Sequence, residues 1–435
     1  MVAADTTVGA TPSPRCFELS TSAFRLEGGA RLPRHHVRGF WWGPEEDLPW
    51  LAARAQLLAA DDPCMTREQP VARGEAPVGK AVDARIEAPP PPERSTVLVV
   101  HALTADCRVG GEGGWWGPLV GPGEPLDPTR MRVLCFNNLG SCYGTFGPED
   151  TGYPRLADEP EPPSLLGKGF TGKGFTGKGA FSVDPRAPAT LTTWDQARSI
   201  LLALDALGID RVDLVVGGSV GGMITLCLAV LAPDRFARVV PVATAPRSTS
   251  WIRGFNHIAR MAILADPGFP DDPARGLELA RQIAHVTYRA EAGLAGHDPP
   301  YAATWHGATP LRVQTYLEYQ GRKLRARFFA GAYLAQLCAM DHHDLERRPS
   351  PPETEERWTL GESWGTSRLC APTYAIGVDS DQLFPAHHGE RLAAQLAERG
   401  VVTGHYRITS PNGHDAFLLE WDQLREALRA AWDLG

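Results

Sequence analysis

The chain has 435 residues, enough to bury a large core as one α/β domain with insertions or as two domains. A formal net charge of −8 argues against nucleic acid or an anionic membrane surface as the main partner. No apolar stretch approaches the roughly 18 residues of a membrane span, and no signal-peptide pattern opens the chain, so a cytoplasmic protein is expected.

Residues 1–14 are small and polar and read as a mobile N-terminus, and 16–42 alternate loosely as opening antiparallel strands. Residues 43–95 form an insertion rich in Ala, Pro, Glu and Arg, with helical character at 48–60 and a stiff Pro run at 89–92. Buried strands follow at 96–100 and 131–137, each running into a loop at the edge where an open α/β sheet places its ligands. A second insertion near 155–185 contains a direct Lys-Gly repeat (167–179), read as a flexible surface loop and not a P-loop. Residues 193–207 form an amphipathic helix. Strands are expected at 210–216 and 237–243, and helical patterns dominate from 248 to about 344. A linker rich in Pro and Glu (347–358) leads to a strand at 373–378, a helix at 388–399, a strand at 401–408 and a final helix at 421–432. The expected architecture is a core of 15–247 plus 359–435, with a helical lid inserted at 248–358.

Chemistry gathers at Gly217-Gly218-Ser219-Val220-Gly221-Gly222, which stands between a β-branched apolar run and an apolar helix. Strand, Gly-x-Ser-x-Gly, helix is the pattern of a nucleophile elbow, in which small neighbours allow a strained turn to expose the serine hydroxyl. A serine nucleophile needs a base, and the base needs an acid to hold its tautomer. Asp381 follows the strand at 373–378, and His414 follows the strand at 401–408, in the chain order this fold requires. Asp379 is a rival acid, read as a turn-former. The paired histidines His35/His36, His342/His343 and His387/His388 lack this context and read as surface or structural residues. The eight cysteines are scattered without a C-x-x-C pair, and read as buried free thiols with no metal site.

Nine segments carry a resemblance: H-A-L-T (101–104), G-G-W-W-G-P-L-V-G-P-G (113–123), N-N-L-G-S-C (137–142), G-G-S-V-G-G-M (217–223), F-N-H-I-A-R-M-A-I-L-A-D-P (255–267), A-R-Q-I-A-H-V-T-Y-R (280–289), Y-L-E-Y-Q-G-R-K-L (316–324), D-S-D-Q-L-F-P (379–385) and G-H-D-A-F-L-L-E (413–420). Together they resemble the homoserine O-acetyltransferases, an α/β-hydrolase branch that moves an acyl group from acyl-CoA to a hydroxyl. The resemblance implies an α/β-hydrolase fold, mostly parallel, with helices on both faces. It also implies Ser219 as nucleophile, Asp381 as acid, His414 as base, and Leu103 and Val220 as oxyanion donors. Arg281 and Tyr288 match residues that hold the amino-acid carboxylate, and Asp415 one that meets its amine. Acetyl-CoA is then a co-substrate, no cofactor is permanently bound, and a homodimer through the lid is implied. Departures stand at Val220, at Phe328 to Tyr333 and at the Phe146 loop. The last two are expected to touch the pocket, which leaves serine, a secondary-metabolite alcohol, succinyl transfer or plain ester hydrolysis as alternatives to acetyl transfer to homoserine.

Overall fold

The structure is a computed structural model that describes residues 12–21, 24–33, 35–58, 92–158, 184, 186–295, 311–349 and 363–434. The Lys-Gly repeat, Cys64, and most of the two expected insertions lie outside these residues, as do residues 1–11.

β-Branched runs build the centre. The strands β1 (Arg15–Thr21), β4 (His35–Trp42), β5 (Gln56–Leu57), β6 (Thr96–Val100), β7 (Arg132–Phe136), β8 (Leu214–Gly218), β9 (Val239–Val242), β10 (Thr373–Val378) and β11 (Thr403–Ile408) form one sheet. Their order is β11-β10-β9-β8-β6-β7-β4-β1-β5, and a two-stranded ribbon of β2 (Phe24–Arg25) and β3 (Arg31–Leu32) lies apart. From β7 to β11 every pairing is parallel, while β4, β1 and β5 join antiparallel. Period-two alternation splits the core between the sheet's faces. Leu98, Val100, Leu134, Phe136 and Val215 face one cluster, and Val97, Val99, Val133, Cys135, Leu214 and Val216 the other.

Helices cover both faces. On the first lie α2 (Thr193–Ala206), α3 (Val220–Leu231) and α9 (His387–Glu398), and on the second lies α10 (Trp421–Trp432). All twelve residues of α3 are buried, as expected of a helix without a polar face. A capping box starts α2: the Thr192 hydroxyl accepts from the Asp195 N–H, and the Asp195 carboxylate accepts from the Thr192 N–H. Between β9 and β10 the described α-helices are α4 (Ser250–Leu264), α5 (Ala274–Tyr288), α6 (Glu291–Leu294), α7 (Arg312–Arg325) and α8 (Ala330–Asp341), with α5 packed on both α4 and α7.

Two expectations need correction. The helix read at 48–60 is only α1 (Leu48–Arg54). Ala55 turns to extended backbone, and β5 then pairs with β1. Within the expected N-terminal segment, the buried Trp42 indole N–H donates to the Pro12 carbonyl. Phe146 does not reach the site: it is buried against His36 and Tyr153 in a separate cluster. Among the described residues, no helix is long and apolar enough to cross a membrane.

Candidate active site

The turn between β8 and α3 holds Ser219 at φ 58° and ψ −124°, a conformation that a side-chain-bearing residue adopts only under constraint. Four glycines make that turn possible by close approach. A Cβ on Gly217 would lie 2.4 Å from the Gly221 carbonyl oxygen, and one on Gly221 would lie 2.2 Å from that of Val100. On Gly222 it would meet the Thr244 methyl at 2.6 Å, and on Gly218 the Phe417 ring at 2.5 Å. The Ser219 N–H is taken by the Val242 carbonyl (2.9 Å), and its own carbonyl accepts from Gly222 and Met223. The side chain is therefore what this turn presents.

Asp381 and His414 follow β10 and β11. The Asp381 carboxylate accepts at one oxygen from the N–H groups of Leu383 and Phe384, both at 2.8 Å. Its other oxygen accepts from His414 Nδ1 at 2.7 Å, with both side chains almost fully buried. That bond places the proton on Nδ1 and leaves Nε2 as the acceptor. Phe384 and Phe417 flank the imidazole with ring centroids at 5.3 Å, and Tyr288 lies at 5.6 Å. Phe417 thus borders both the serine turn and the histidine. Asp379 instead accepts from the Ser410 N–H, a loop-closing contact.

Gly413 is what lets His414 meet the helical segment. It has φ 63°, and a Cβ there would lie 2.6 Å from the Ala290 nitrogen and 2.7 Å from the Tyr288 carbonyl oxygen. Arg281 holds its guanidinium 5.5 Å over the Tyr288 ring and donates to the Thr104 hydroxyl at 3.4 Å. Burial raises the Tyr288 hydroxyl above its ordinary pKa, against the opposing charge of Arg281. Burial also raises the Asp415 carboxyl, while Arg289 and Arg281 oppose the shift. Arg289 lies 3.2 Å from the Asp415 carboxylate and donates to Asn412 at 3.0 Å, tying the end of α5 to the His414 loop.

No N–H of Leu103 or Val220 donates to a backbone carbonyl among the described residues outside the regular elements, and Val220 opens α3. The Leu103 loop is shaped by His101, which is fully buried with its pKa pushed down to about 4 by desolvation. In the neutral ring Nδ1 donates to the Ala102 carbonyl (2.8 Å), and Nε2 accepts from the Asn138 N–H (2.9 Å). His101, Arg289 and Arg327 contribute to this centre without having been singled out in the sequence. His101 and Arg289 stood in matching motifs, whereas Arg327 fell outside them, and an isolated arginine carries no spacing signal. No group of three or more His, Cys, Asp or Glu able to hold a metal occurs among the described residues.

Comparisons with known proteins bear on the fold and the family. A family model described as the alpha/beta hydrolase fold matches residues 95–420. The chain is 37% identical over 358 residues to a homoserine O-acetyltransferase of Thermus thermophilus, covering 77% of this chain and 81% of that protein. To the homoserine O-acetyltransferase of Moorella thermoacetica it is 34% identical, covering 76% and 84%. Among solved structures, a homoserine O-acetyltransferase from Bacillus anthracis aligns at TM-score 0.68 and 18% identity, over 97% of this chain and 98% of that one. Esterase E22 aligns at TM-score 0.66 and 14% identity, over 97% and 100%, a likeness of fold alone. From these matches, the chain belongs to the homoserine O-acetyltransferase family of α/β-hydrolase-fold proteins.

Proposed function

We propose that the protein transfers an acetyl group from acetyl-CoA to the hydroxyl of homoserine through an acyl-serine. The observation that carries the chemistry is the buried His414–Asp381 pair, joined through the Phe417 ring to the strained, glycine-framed turn of Ser219. His414 Nε2 takes the Ser219 proton as the hydroxyl attacks the thioester carbonyl. The resulting oxyanion is met by the N–H groups of Leu103 and Val220. The C–S bond breaks, and the imidazolium returns its proton to the CoA thiolate. Homoserine then gives its hydroxyl proton to His414 and attacks the acyl-serine. The O-acetyl product forms, and Ser219 recovers the proton. Asp381 keeps the ring in the required tautomer throughout and stabilises its charged form.

Arg281 and Tyr288 would hold the acceptor carboxylate, and Asp415 its amine, so that cation and anion flank the base as a zwitterion requires. The relatives' names support homoserine over other alcohols. Plain ester hydrolysis is the second reading, because the aligned esterase has the same fold. Trp251, Ile258, Met261, Leu279, Val286 and Tyr319 are exposed on α4, α5 and α7, and this apolar face favours a homodimer through the helical segment. The seven described cysteines are free and four are buried, which suits a reducing cytoplasm.

The test is CoA release from acetyl-CoA with homoserine, serine, an uncharged alcohol or water. Homoserine should be fastest, and Arg281→Ala should raise its KM at least tenfold while acylation of Ser219 stays near normal. Equal rates with water would replace the transferase reading with an esterase. Intact mass after brief exposure to acetyl-CoA should show one acetyl group, absent in Ser219→Ala.

A further inference from the structure

Two arginines from the helical segment converge on Thr104, the residue after the Leu103 N–H. Arg327 lies between α7 and α8. Its Nη1 donates to the Thr104 carbonyl at 2.7 Å and to the Tyr143 hydroxyl at 2.6 Å. Arg281 reaches the Thr104 hydroxyl from α5. Thr104 is itself buried and both contacts are partly shielded from water; the shorter one, from Arg327, is a charge-assisted bond of the strong kind.

The loop they hold lies outside the helices and strands, so its shape depends on such ties. On the β6 side His101 fixes it through Ala102 and Asn138. Further along, the Trp115 indole donates to the Asp106 carbonyl at 2.8 Å. Between these anchors stand Leu103 and Thr104, and Arg327 holds the Thr104 carbonyl. One peptide plane, Leu103–Thr104, separates the plane of that carbonyl from the plane carrying the Leu103 N–H, so only the backbone dihedrals of Leu103 and Thr104 lie between the pinned carbonyl and that donor. Tyr143 completes the brace: its hydroxyl accepts from Arg327, and its ring packs edge-on against Phe328, the residue after Arg327.

We propose that Arg327 is a positioning residue for the oxyanion loop, pinning Thr104 and Tyr143 so that the Leu103 N–H faces the carbonyl attacked by Ser219. The inference rests on the acyl-serine reading given above. Both half-reactions pass through an oxyanion at the same place, so the brace serves acylation and transfer alike. Arg281 would sense the acceptor, whereas Arg327 would shape the transition state. Removing one oxyanion donor outright costs about 10²–10³-fold in turnover, and a donor left in place but misaligned costs less.

The test is rapid-mixing acylation of the full-length protein by acetyl-CoA, followed by transfer to homoserine, in Arg327→Met, Arg327→Lys and Tyr143→Phe. Circular dichroism and size-exclusion chromatography report folding of each. Arg327→Met should slow both half-reactions at least about tenfold, with the KM for homoserine within about twofold of the parent. Arg327→Lys, which keeps a charge but loses reach, should recover part of the rate, and Tyr143→Phe should fall between it and the parent. Acylation by Arg327→Met at the parent rate, or a loss confined to the homoserine KM, would overturn the proposal. If Arg327→Met does not fold, parent-like acylation by both other variants would overturn it equally. Ser219→Ala run beside them separates the failures. Acetylation retained there removes the acyl-serine reading itself, and acetylation lost there with Arg327→Met unimpaired removes only the brace.

Discussion

Gly218 is a sharper probe of the site than Ser219 itself. A methyl there would press on the Phe417 ring, which also walls His414. Gly218→Ala is expected to fold but to lose at least tenfold in kcat, because moving Phe417 moves the base. An unchanged kcat would separate the two. At the acid, Asp381→Asn should cost roughly 10³–10⁴-fold in kcat through loss of the tautomer and of imidazolium stabilisation. Asp379→Asn, whose amide oxygen can still accept from the Ser410 N–H, should stay within about tenfold of the parent. Steady-state kinetics on both variants decides the assignment. The residues of this centre were legible where a turn motif or strand end marked them: Ser219, Asp381 and His414 were named from that context. Arg327 was not, because nothing in its neighbours distinguishes it from a surface arginine. Its meaning comes from Thr104, more than two hundred positions earlier.

Helices and strands were legible in proportion to how completely they are buried. β6 stands where its unbroken apolar run put it, since only burial on both faces tolerates Val97, Leu98, Val99 and Val100 together. β11 begins at Thr403, two residues later than its apolar pattern suggested, although the Val402 carbonyl just before it still accepts from the Thr373 N–H of β10 at 3.0 Å. The short β5 was hidden, since Gln56 and Leu57 are both exposed and only pairing with β1 makes them a strand. At the head of α2, Thr192→Ala removes one side of the capping box and should lower stability by about 1–2 kcal/mol in urea unfolding, with kcat unchanged. On the outer face of α5, Leu279 and Val286 are seven apart and about half exposed, so they share one stripe two turns long. Leu279→Glu with Val286→Glu should convert the proposed dimer to a monomer in analytical ultracentrifugation. A monomeric parent would instead remove the assembly reading.

Across the whole molecule, buried imidazoles set the response to acid. Desolvation lowers His35 to about 3, His101 to about 4, His343 to about 3 and His285 to about 2, from an ordinary 6.5. Each folded-state pKa lies below the unfolded one. The unfolded chain therefore binds more protons below pH 6.5, and each ring removes stability as the pH falls toward its folded value. The slope is at most about 1.4 kcal/mol per pH unit for each ring. Asp195, raised to about 7 by burial, and His342, raised to about 9 chiefly by Cys338, work the other way, two groups against four. Glu149, Asp150 and Asp415 are also raised and blunt the effect at lower pH. Tm should therefore drop between pH 7 and 5.5, and His343→Gln should flatten that drop. A Tm independent of pH over this interval would contradict the assignment. The order of the parallel strands has a further consequence, for a chain that emerges from the ribosome from its N-terminus. Ser219 leaves at the end of β8, near the middle of the chain, whereas His414 arrives only after β11, at the far edge of the sheet. The Trp116 indole must also wait, since the Phe417 carbonyl that accepts its N–H is made 301 residues later. A nascent chain stalled before residue 401 would carry the proposed nucleophile without its proposed base, and on that proposal would leave cellular thioesters untouched until synthesis of that last strand and turn.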